Sequence, residues 1–347
     1  MNIIRGILLT SALTAGSMLS AISSLGQGMH FSQYYNAPLL LNPANTALMP
    51  DNDFRVGVNY RNQWASVPVP FRTYSVYGDL QAMRNRNYTN WLGLGFAFWN
   101  DKAGDGDLSL SRIEMNVAYH VQMGEVAMIS AGVSAANVQR TVDFNKLTFD
   151  AQWDGFRFDP SKINGENGYS ARTSFFDVGA GINFAYFPNE NTYLKIGLGA
   201  AHLTQPKESF FGQENKLGIR PTGNIDLMVK LNPAIILNPS VYYTTQKGAM
   251  ELLYGTLFRV NVSNADKGYN RPTTTLILGA FHRWNEALVG TIGLQYGPFK
   301  FMSSYDFTLS SLSGANKGRG AFEIGMVYEG VYGELSRSRQ SYNCPRF

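Results

Sequence analysis

The sequence predicts an all-β protein, a transmembrane antiparallel β-barrel of about 14 strands. The first observation is a two-residue alternation, in which Ile113, Met115 and Val117 share one face of a segment while Glu114 and Asn116 share the other. Successive side chains of a strand point to opposite faces, so the alternation separates an apolar surface from a polar one. The second is length: many such segments run about 10–14 residues, against about 5–6 for globular strands and about 9–11 for membrane-crossing ones. A soluble secreted β-protein is the alternative, because its strands also alternate.

The N-terminus has the pattern of an export signal. Residues 1–5 carry one positive charge, residues 6–22 are mostly apolar or small, and the small residues Ser24 and Gly26 lie just before a suitable cleavage point. This predicts a signal peptide over 1–26, with an uncleaved membrane anchor as the alternative. No later segment approaches the roughly 18 consecutive apolar residues of a helical span.

Composition and charge narrow the class of protein. Without the signal the chain has 28 basic and 25 acidic residues, with no basic cluster, so nucleic acid is not indicated as a partner. The single Cys344 cannot form an intramolecular disulfide. The composition shows no linker, which favours one barrel over two domains. The 19 Tyr, 22 Phe and 5 Trp are enough for two aromatic girdles at the membrane interfaces.

Fourteen segments are predicted to be strands: 54–64, 71–82, 90–100, 108–123, 125–139, 173–187, 192–203, 217–231, 234–246, 249–263, 273–284, 286–296, 298–309 and 319–333. An even number of strands closes a barrel with both termini on one side, which is the periplasm for outer-membrane barrels. Periplasmic turns are short and external loops long. The links after odd-numbered strands include the two longest, 140–172 and 204–216, which agrees with this orientation, although 264–272 is long for a periplasmic turn.

The segment 27–53 is predicted to lie outside the wall of the barrel. It contains Pro38, Pro43 and Pro50, which cannot take part in a central strand. It is also too apolar for a free periplasmic tail. We therefore expect it to pack inside the lumen as a plug, against a partner, or onto the rim of its own barrel.

Two further segments are distinguished from the barrel wall, which is predicted over 54–333. The tail 334–347 is polar, is placed in the periplasm and presents the same choice between self-packing and partner contact. The loop 140–172 is rich in aromatic residues and is too long for a plain connector, so it is either functional or flexible.

The chain lacks the usual signatures of catalysis and of cofactor binding. Its histidines are not at metal-ligand spacing, and we find no nucleophile elbow, phosphate-binding loop or zinc-protease motif. The glycine pairs Gly93–Gly95 and Gly179–Gly181 lie inside strands, where glycine permits close packing. The stretch 101–107 could wrap a calcium ion, but Asp and Gly are also ordinary hairpin residues. The sequence therefore predicts a non-enzyme without a cofactor.

Side chains predicted to face the lumen carry both signs of charge. A selective pore or a docking surface is one interpretation, and an internally paired interior is the other. The mixture of signs does not favour an ion-selective channel. The residues are Arg55, Arg61, Asp79, Arg112, Glu114, Asp177, Asp226, Lys230, Lys300, Asp306 and Glu323.

Several short motifs, which span most of the chain, carry a family resemblance. They are His30–Tyr35 (HFSQYY), Asn42–Ala44 (NPA), Tyr60–Trp64 (YRNQW), Tyr74–Val76 (YSV), Ser304–Asp306 (SYD), Gly320–Ile324 (GAFEI) and the closing Cys344–Phe347 (CPRF). In these motifs the chain resembles the PorP/SprF family of Bacteroidota outer-membrane proteins.

The resemblance implies a role in the type IX secretion and gliding machinery. Members of the family are outer-membrane barrels associated with export or surface attachment of large adhesins that carry a C-terminal sorting domain. Some are linked to periplasmic ring and lipoprotein components of the machine. The expected partners are therefore outer-membrane lipid, the adhesin domain and those components. A diffusion porin or small-molecule transporter is the alternative function, since alternation, a signal peptide and a charged lumen fit it equally well.

Candidate partner contacts are predicted in the N-terminal motif, the long loop and the tail. The sequence alone does not decide whether the lumen is open or plugged, nor which adhesin is the cargo. The candidate residues are His30, Phe31, Ser32, Gln33, Tyr34, Asn42, Pro43, Phe149, Trp153, Phe156, Cys344 and Phe347.

Overall fold

The fold is known from a computed structural model, which describes residues 31–49, 52–65, 70–85, 89–159, 161–165, 171–210, 212, 214–262, 273–311 and 313–332. The predicted signal peptide, His30 and the tail with Cys344 and Phe347 lie outside the described residues. No helix in the described ranges is long and apolar enough to cross a membrane.

The alternating segments form fourteen strands, as the sequence predicts, and their ends differ from the predicted ones by only a few residues. They are β1 (Phe54–Gln63), β2 (Phe71–Ala82), β3 (Asn90–Ala103), β4 (Leu108–Met123), β5 (Ala127–Thr141), β6 (Arg172–Asn189), β7 (Thr192–Ala201), β8 (Arg220–Asn232), β9 (Ile235–Gln246), β10 (Ala249–Asn261), β11 (Thr274–Arg283), β12 (Ala287–Tyr296), β13 (Phe299–Thr308) and β14 (Arg319–Gly330).

The strands close into one antiparallel barrel. Each strand pairs with the next along the chain, and β1 pairs with β14 from Phe54 opposite Gly330 to Gln63 opposite Ala321. Closure leaves no strand edge unpaired, so every wall strand has hydrogen-bonding neighbours on both sides. The predicted class of fold, a closed 14-stranded antiparallel barrel, is confirmed.

The two ends of the barrel differ in their connections. At one, here called the long-loop end, lie the links that follow odd-numbered strands, including 142–171 and 202–219. At the other, the short-turn end, most links are tight, for example 124–126 and 190–191. Placement of the short-turn end in the periplasm stays a prediction.

The outer surface of the wall is apolar and the inner surface polar, as the register predicts. In β4, Ile113, Met115 and Val117 are 50%, 59% and 42% exposed. Their neighbours Glu114 and Asn116 are almost completely buried. An exposed apolar belt around a buried polar interior is the arrangement that a lipid-embedded barrel requires.

Replacing Val117 by arginine is expected to destabilise the barrel by about 2–4 kcal/mol, because the side chain lies mid-strand on the apolar face. The same substitution at Met123, on the same face at the end of β4, is expected to cost about 0–1 kcal/mol. Urea titration of the protein refolded in lipid vesicles measures both. Equal costs would show that the apolar belt is misplaced. Asn116 is no permissive control, because it lies in a packed interior.

The core of the molecule lies inside the barrel. Residues 31–49, here called the plug, run through the lumen and are almost entirely buried. The plug contains a 3-10 turn at Tyr34–Asn36, one helical turn at Pro38–Leu41 and a second 3-10 turn at Pro43–Asn45. Of the three placements that the sequence left open, the structure has the segment inside the lumen and packed against the inner wall.

Candidate functional site: the plugged lumen and its vestibule

The plug forms short turns instead of a strand because of its prolines and its asparagines. Pro38 and Pro43 begin the second and third turns, where the missing N–H would have no intrahelical partner in any case. The side chain of Asn42 accepts a hydrogen bond from the Ala44 amide at 2.9 Å, which caps the last turn. The backbone is thereby coiled tightly enough to fit within the barrel.

Two carboxylates of the wall hold the beginning of the plug. Glu323 accepts the backbone N–H groups of Ser32 and Gln33 at 2.8 and 3.0 Å. The Ser32 hydroxyl lies 2.8 Å from both carboxylate oxygens of Asp306. Buried carboxylates require such donors, because the desolvation of an unpaired charge is very costly.

Two buried arginines complete this anchor from two other strands. Arg61 lies 2.8 Å from Asp306 and 3.1 Å from Glu323. Arg283 lies 3.0 Å from Asp306. Both also donate to the Ser32 hydroxyl oxygen, at 2.6 and 2.7 Å. Four strands, β1, β11, β13 and β14, therefore meet at one plug residue.

A second part of the wall holds the end of the plug. The His120 ring lies 2.8 Å from the Thr46 carbonyl, and the Trp91 indole donates to the Ala47 carbonyl at 2.9 Å. Asp79 accepts the Ala47 N–H at 2.7 Å. These partners come from β2, β3 and β4. In the closed ring of fourteen strands, β4 lies seven strands away from β11, which carries Arg283, so the plug contacts opposite sides of the barrel.

Glycines let the plug approach the wall closely. A Cβ atom at Gly132 or Gly181 would overlap Pro43 or Asn42, and one at Gly93 would overlap the Thr46 carbonyl. This confirms the interpretation of the in-strand glycines as packing positions. The fit is specific to the plug, since the overlapping atoms belong to it.

Apolar contacts fill the remaining space. Tyr34 stacks on Tyr242 with ring centroids 5.3 Å apart, and Tyr35 stacks on Phe281 at 5.6 Å. Leu39 is buried in a second cluster with Trp99. Aromatic pairs at these separations add about 0.5–1.5 kcal/mol beyond the area that they bury.

Above the plug, at the long-loop end, lies a cavity of about 460 Å³, here called the vestibule. Phe31, Leu40 and Leu41 of the plug contribute to its lining, so the plug supplies an apolar floor. The surrounding wall is contributed by residues of β3, β4, β5, β6, β8 and β9 towards their long-loop ends, by the turn after β9 and by the link 202–219. The wall residues include Trp99, Leu110, Arg112, Val138, Arg140, Phe175, His202, Glu208, Asn215, Leu217, Arg220, Tyr242, Gln246 and Lys247.

The four cations of the vestibule differ in their pairing. Arg112 pairs with Asp177 and lies 2.6 Å from Glu114, and Arg140 lies 2.5 Å from Glu208. Arg220 and Lys247, in contrast, make no ion pair with any residue in the described part of the chain. The vestibule therefore combines an apolar floor with positive charge that no ion pair in the described part of the chain compensates.

The long loop presents apolar side chains beside this end of the barrel. Phe156 is 93% exposed and Trp153 is 47% exposed, whereas Phe149 is half-buried and stacks on Phe144. Large exposed apolar groups on a loop are typical of a contact surface. The loop is tied to the barrel by Lys146, which pairs with Asp107.

The stretch 101–107, for which the sequence allowed a calcium loop or an ordinary hairpin, carries lysine contacts. Lys102 lies 2.9 Å from Asp107, and Lys146 pairs with the same carboxylate. Hydrogen bonds from Lys146 and Lys102 lower the pKa of Asp107. Within the described ranges no three His, Cys, Asp or Glu side chains are grouped as a metal site would require.

The charged residues predicted to face the lumen are all buried or half-buried, and most are paired with opposite charges. Arg55 lies 2.6 Å from Asp79, and Lys195 lies 3.2 Å from Asp226. This favours the interpretation of an internally paired interior over that of an ion-selective pore.

The structure brings together Phe31, Ser32, Gln33, Tyr34, Asn42 and Pro43 inside the lumen, while Phe149, Trp153 and Phe156 lie in the separate long loop. Of the six, only Phe31 and Tyr34 line the vestibule. A role for any of them in partner binding stays a prediction. Of the four vestibule cations, Arg112 was predicted to face the lumen. The other three were missed, although Arg140 and Arg220 lie at strand ends that flank the two longest loops.

Fold, outer surface and filled lumen together define an outer-membrane β-barrel closed by its own N-terminal segment. The chain belongs to the family described as type IX secretion system membrane protein PorP/SprF, whose family model matches residues 23–328. It is a protein of the outer membrane. The family and the fold are those of secretion and transport proteins.

Solved structures of other proteins have a similar fold. The toluene transporter TbuX of Ralstonia pickettii is similar with a TM-score of 0.52 and 11% identity, over 86% of this chain and 94% of that one. The toluene transporter TodX of Pseudomonas putida has the same TM-score, identity and coverage. No curated protein matches the chain.

Proposed function

We propose that the protein is a non-catalytic outer-membrane component of the type IX secretion and gliding machinery, which assists export or surface attachment of a large adhesin with a C-terminal sorting domain. The observation that carries the proposal is the filled lumen. A barrel whose interior is occupied by its own buried segment offers no wide passage to a solute, which supports a role in presenting surfaces.

The positions of the vestibule and of the exposed aromatic side chains support docking at the long-loop end. The vestibule lies there, and the loop 142–171 at the same end carries the exposed side chains of Trp153 and Phe156. Aromatic residues commonly dominate the energetics of protein contacts. Periplasmic ring and lipoprotein components of the machine would meet the opposite, short-turn end if the predicted orientation holds.

A small-molecule transporter is the second candidate. The observation in its favour is the apolar vestibule, in a fold shared with proteins described as toluene transporters. For this function, the plug would have to change conformation so that the solute could pass through the lumen. The filled lumen favours docking over this function.

Conductance distinguishes the two candidates. The full-length protein in planar bilayers is expected to be closed, because the plug bridges opposite walls. A variant lacking residues 31–49, inserted in the same bilayers, is expected to conduct ions. A stable, solute-selective pore in the full-length protein would contradict the docking proposal and favour the transporter.

A further inference from the structure

The vestibule holds positive charge that the protein itself leaves unmatched. Arg220, at the start of β8, and Lys247, in the turn after β9, line the cavity without an ion pair in the described part of the chain. The stem of Lys247 lies over Gly218, since a Cβ atom placed there would come 2.8 Å from its Cγ. The two cations thus lie at the ends of the neighbouring strands β8 and β9, near one side of the cavity.

The acidic side chain that lines the described part of the vestibule already has an ion-pair partner. Glu208 is the acid among the described lining residues, and it is buried against Arg140 at 2.5 Å. A cationic ligand would therefore find no free carboxylate there. An anion would find two cations without partners, and charge-assisted hydrogen bonds to such groups are about twice as strong as neutral ones.

The rest of the cavity is suited to a ligand that combines an apolar group with a hydrogen-bond donor. Phe31, Leu40 and Leu41 form the floor. Gln246 donates its amide to the Gly218 carbonyl at 2.9 Å, which leaves its carbonyl oxygen as an acceptor for a ligand. A volume of about 460 Å³ lies within the usual range of about 300–1,000 Å³ for ligand pockets.

We propose that the vestibule binds the C-terminal end of a polypeptide, with apolar or aromatic last residues on the floor and the free carboxylate at Arg220 and Lys247. The amide of Gln246 favours a peptide over a purely aliphatic acid, because a peptide supplies N–H donors for it. Only the origin of the peptide, a secreted partner, rests on the proposed function. Binding itself follows from the cavity.

The test uses the purified full-length protein in detergent and three fluorescence-competition probes. They are the tetrapeptide acetyl-Gly-Ser-Leu-Phe as free acid, the same peptide as C-terminal amide, and decanoate. The free acid is expected to bind at least roughly tenfold more tightly than the amide, since the amide lacks the charge. Decanoate is expected to bind more weakly than the free acid.

Variants locate the binding. Lys247→Gln and Arg220→Gln are each expected to weaken free-acid binding by roughly tenfold, which corresponds to the loss of one charge-assisted bond. Lys216→Gln is the matched control, because Lys216 is a nearby loop cation that does not line the cavity. Heat-modifiable gel mobility reports folding. Lys247 lies in an exposed turn, so its variant remains informative if Arg220→Gln fails to fold.

Two results would overturn the inference: equal binding of acid and amide, or binding of decanoate with neither peptide bound. Its failure is distinct from failure of the proposed function. If the peptides do not bind but an adhesin still copurifies with the barrel, the inference falls alone. If nothing copurifies, the proposed function falls as well.

Discussion

Replacing Arg61 by alanine is expected to lower the free energy of unfolding by about 3–5 kcal/mol, because Asp306 and Glu323 would each lose a buried partner. The loss also removes the 2.6 Å bond to Ser32, which holds the plug. Chemical unfolding in lipid vesicles measures the effect. The matched control is Arg157→Ala in the long loop, where the paired arginine is 81% exposed and a change of about 0–1 kcal/mol is expected.

A double-mutant cycle makes the same prediction more stringent. The double variant Arg61→Ala, Glu323→Ala is expected to be less destabilised than the sum of the two single variants, since neither residue then leaves the other unpaired. If the changes in the free energy of unfolding were additive, the two residues would act separately and the anchor would not form as described.

Deleting residues 30–44 is expected to leave a folded barrel and to abolish surface display of the cognate adhesin. The closed ladder of the wall is formed by strand-to-strand backbone hydrogen bonds, which do not require the plug, and water can solvate the exposed charges of an emptied lumen. Display and heat-modifiable mobility are measured together in the native outer membrane. Phe31→Ala with Tyr34→Ala tests the residues that reach the vestibule, and Leu39→Ala, buried beneath it, is the matched control.

Normal display from a folded deletion variant would show that the plug only fills space. Failure of the barrel to fold would show that the segment is structural. Either result would contradict a functional role for the N-terminal motif.

The strands were predictable because the membrane imposes one rule on each of them. Val117 must face lipid and Asn116 must face the interior, so the two-residue alternation alone predicts which side chains lie on each face. The length of the alternating segments then indicates strands that cross a membrane. The position of Gly93 and Gly181 inside predicted strands indicated close packing, although it could not say against what.

The placement of the plug could not be predicted from local pattern. Its anchor joins Ser32 to Glu323, which lies 291 residues away along the chain, and nothing in either neighbourhood specifies the pair. The vestibule was missed for a related reason. Arg220 and Lys247 lie where alternation ends and loops begin, so no periodicity marks them as lining one cavity.

Copurification from native outer membranes tests the central claim most directly. A tagged full-length barrel, solubilised in mild detergent, is expected to recover the adhesin or a component of the secretion machine. A Phe156→Ser variant, altered at a side chain that is 93% exposed, is expected to recover less of any partner bound at the long-loop end while remaining folded. Recovery of the full-length barrel alone, in good yield and correctly folded, would contradict the account.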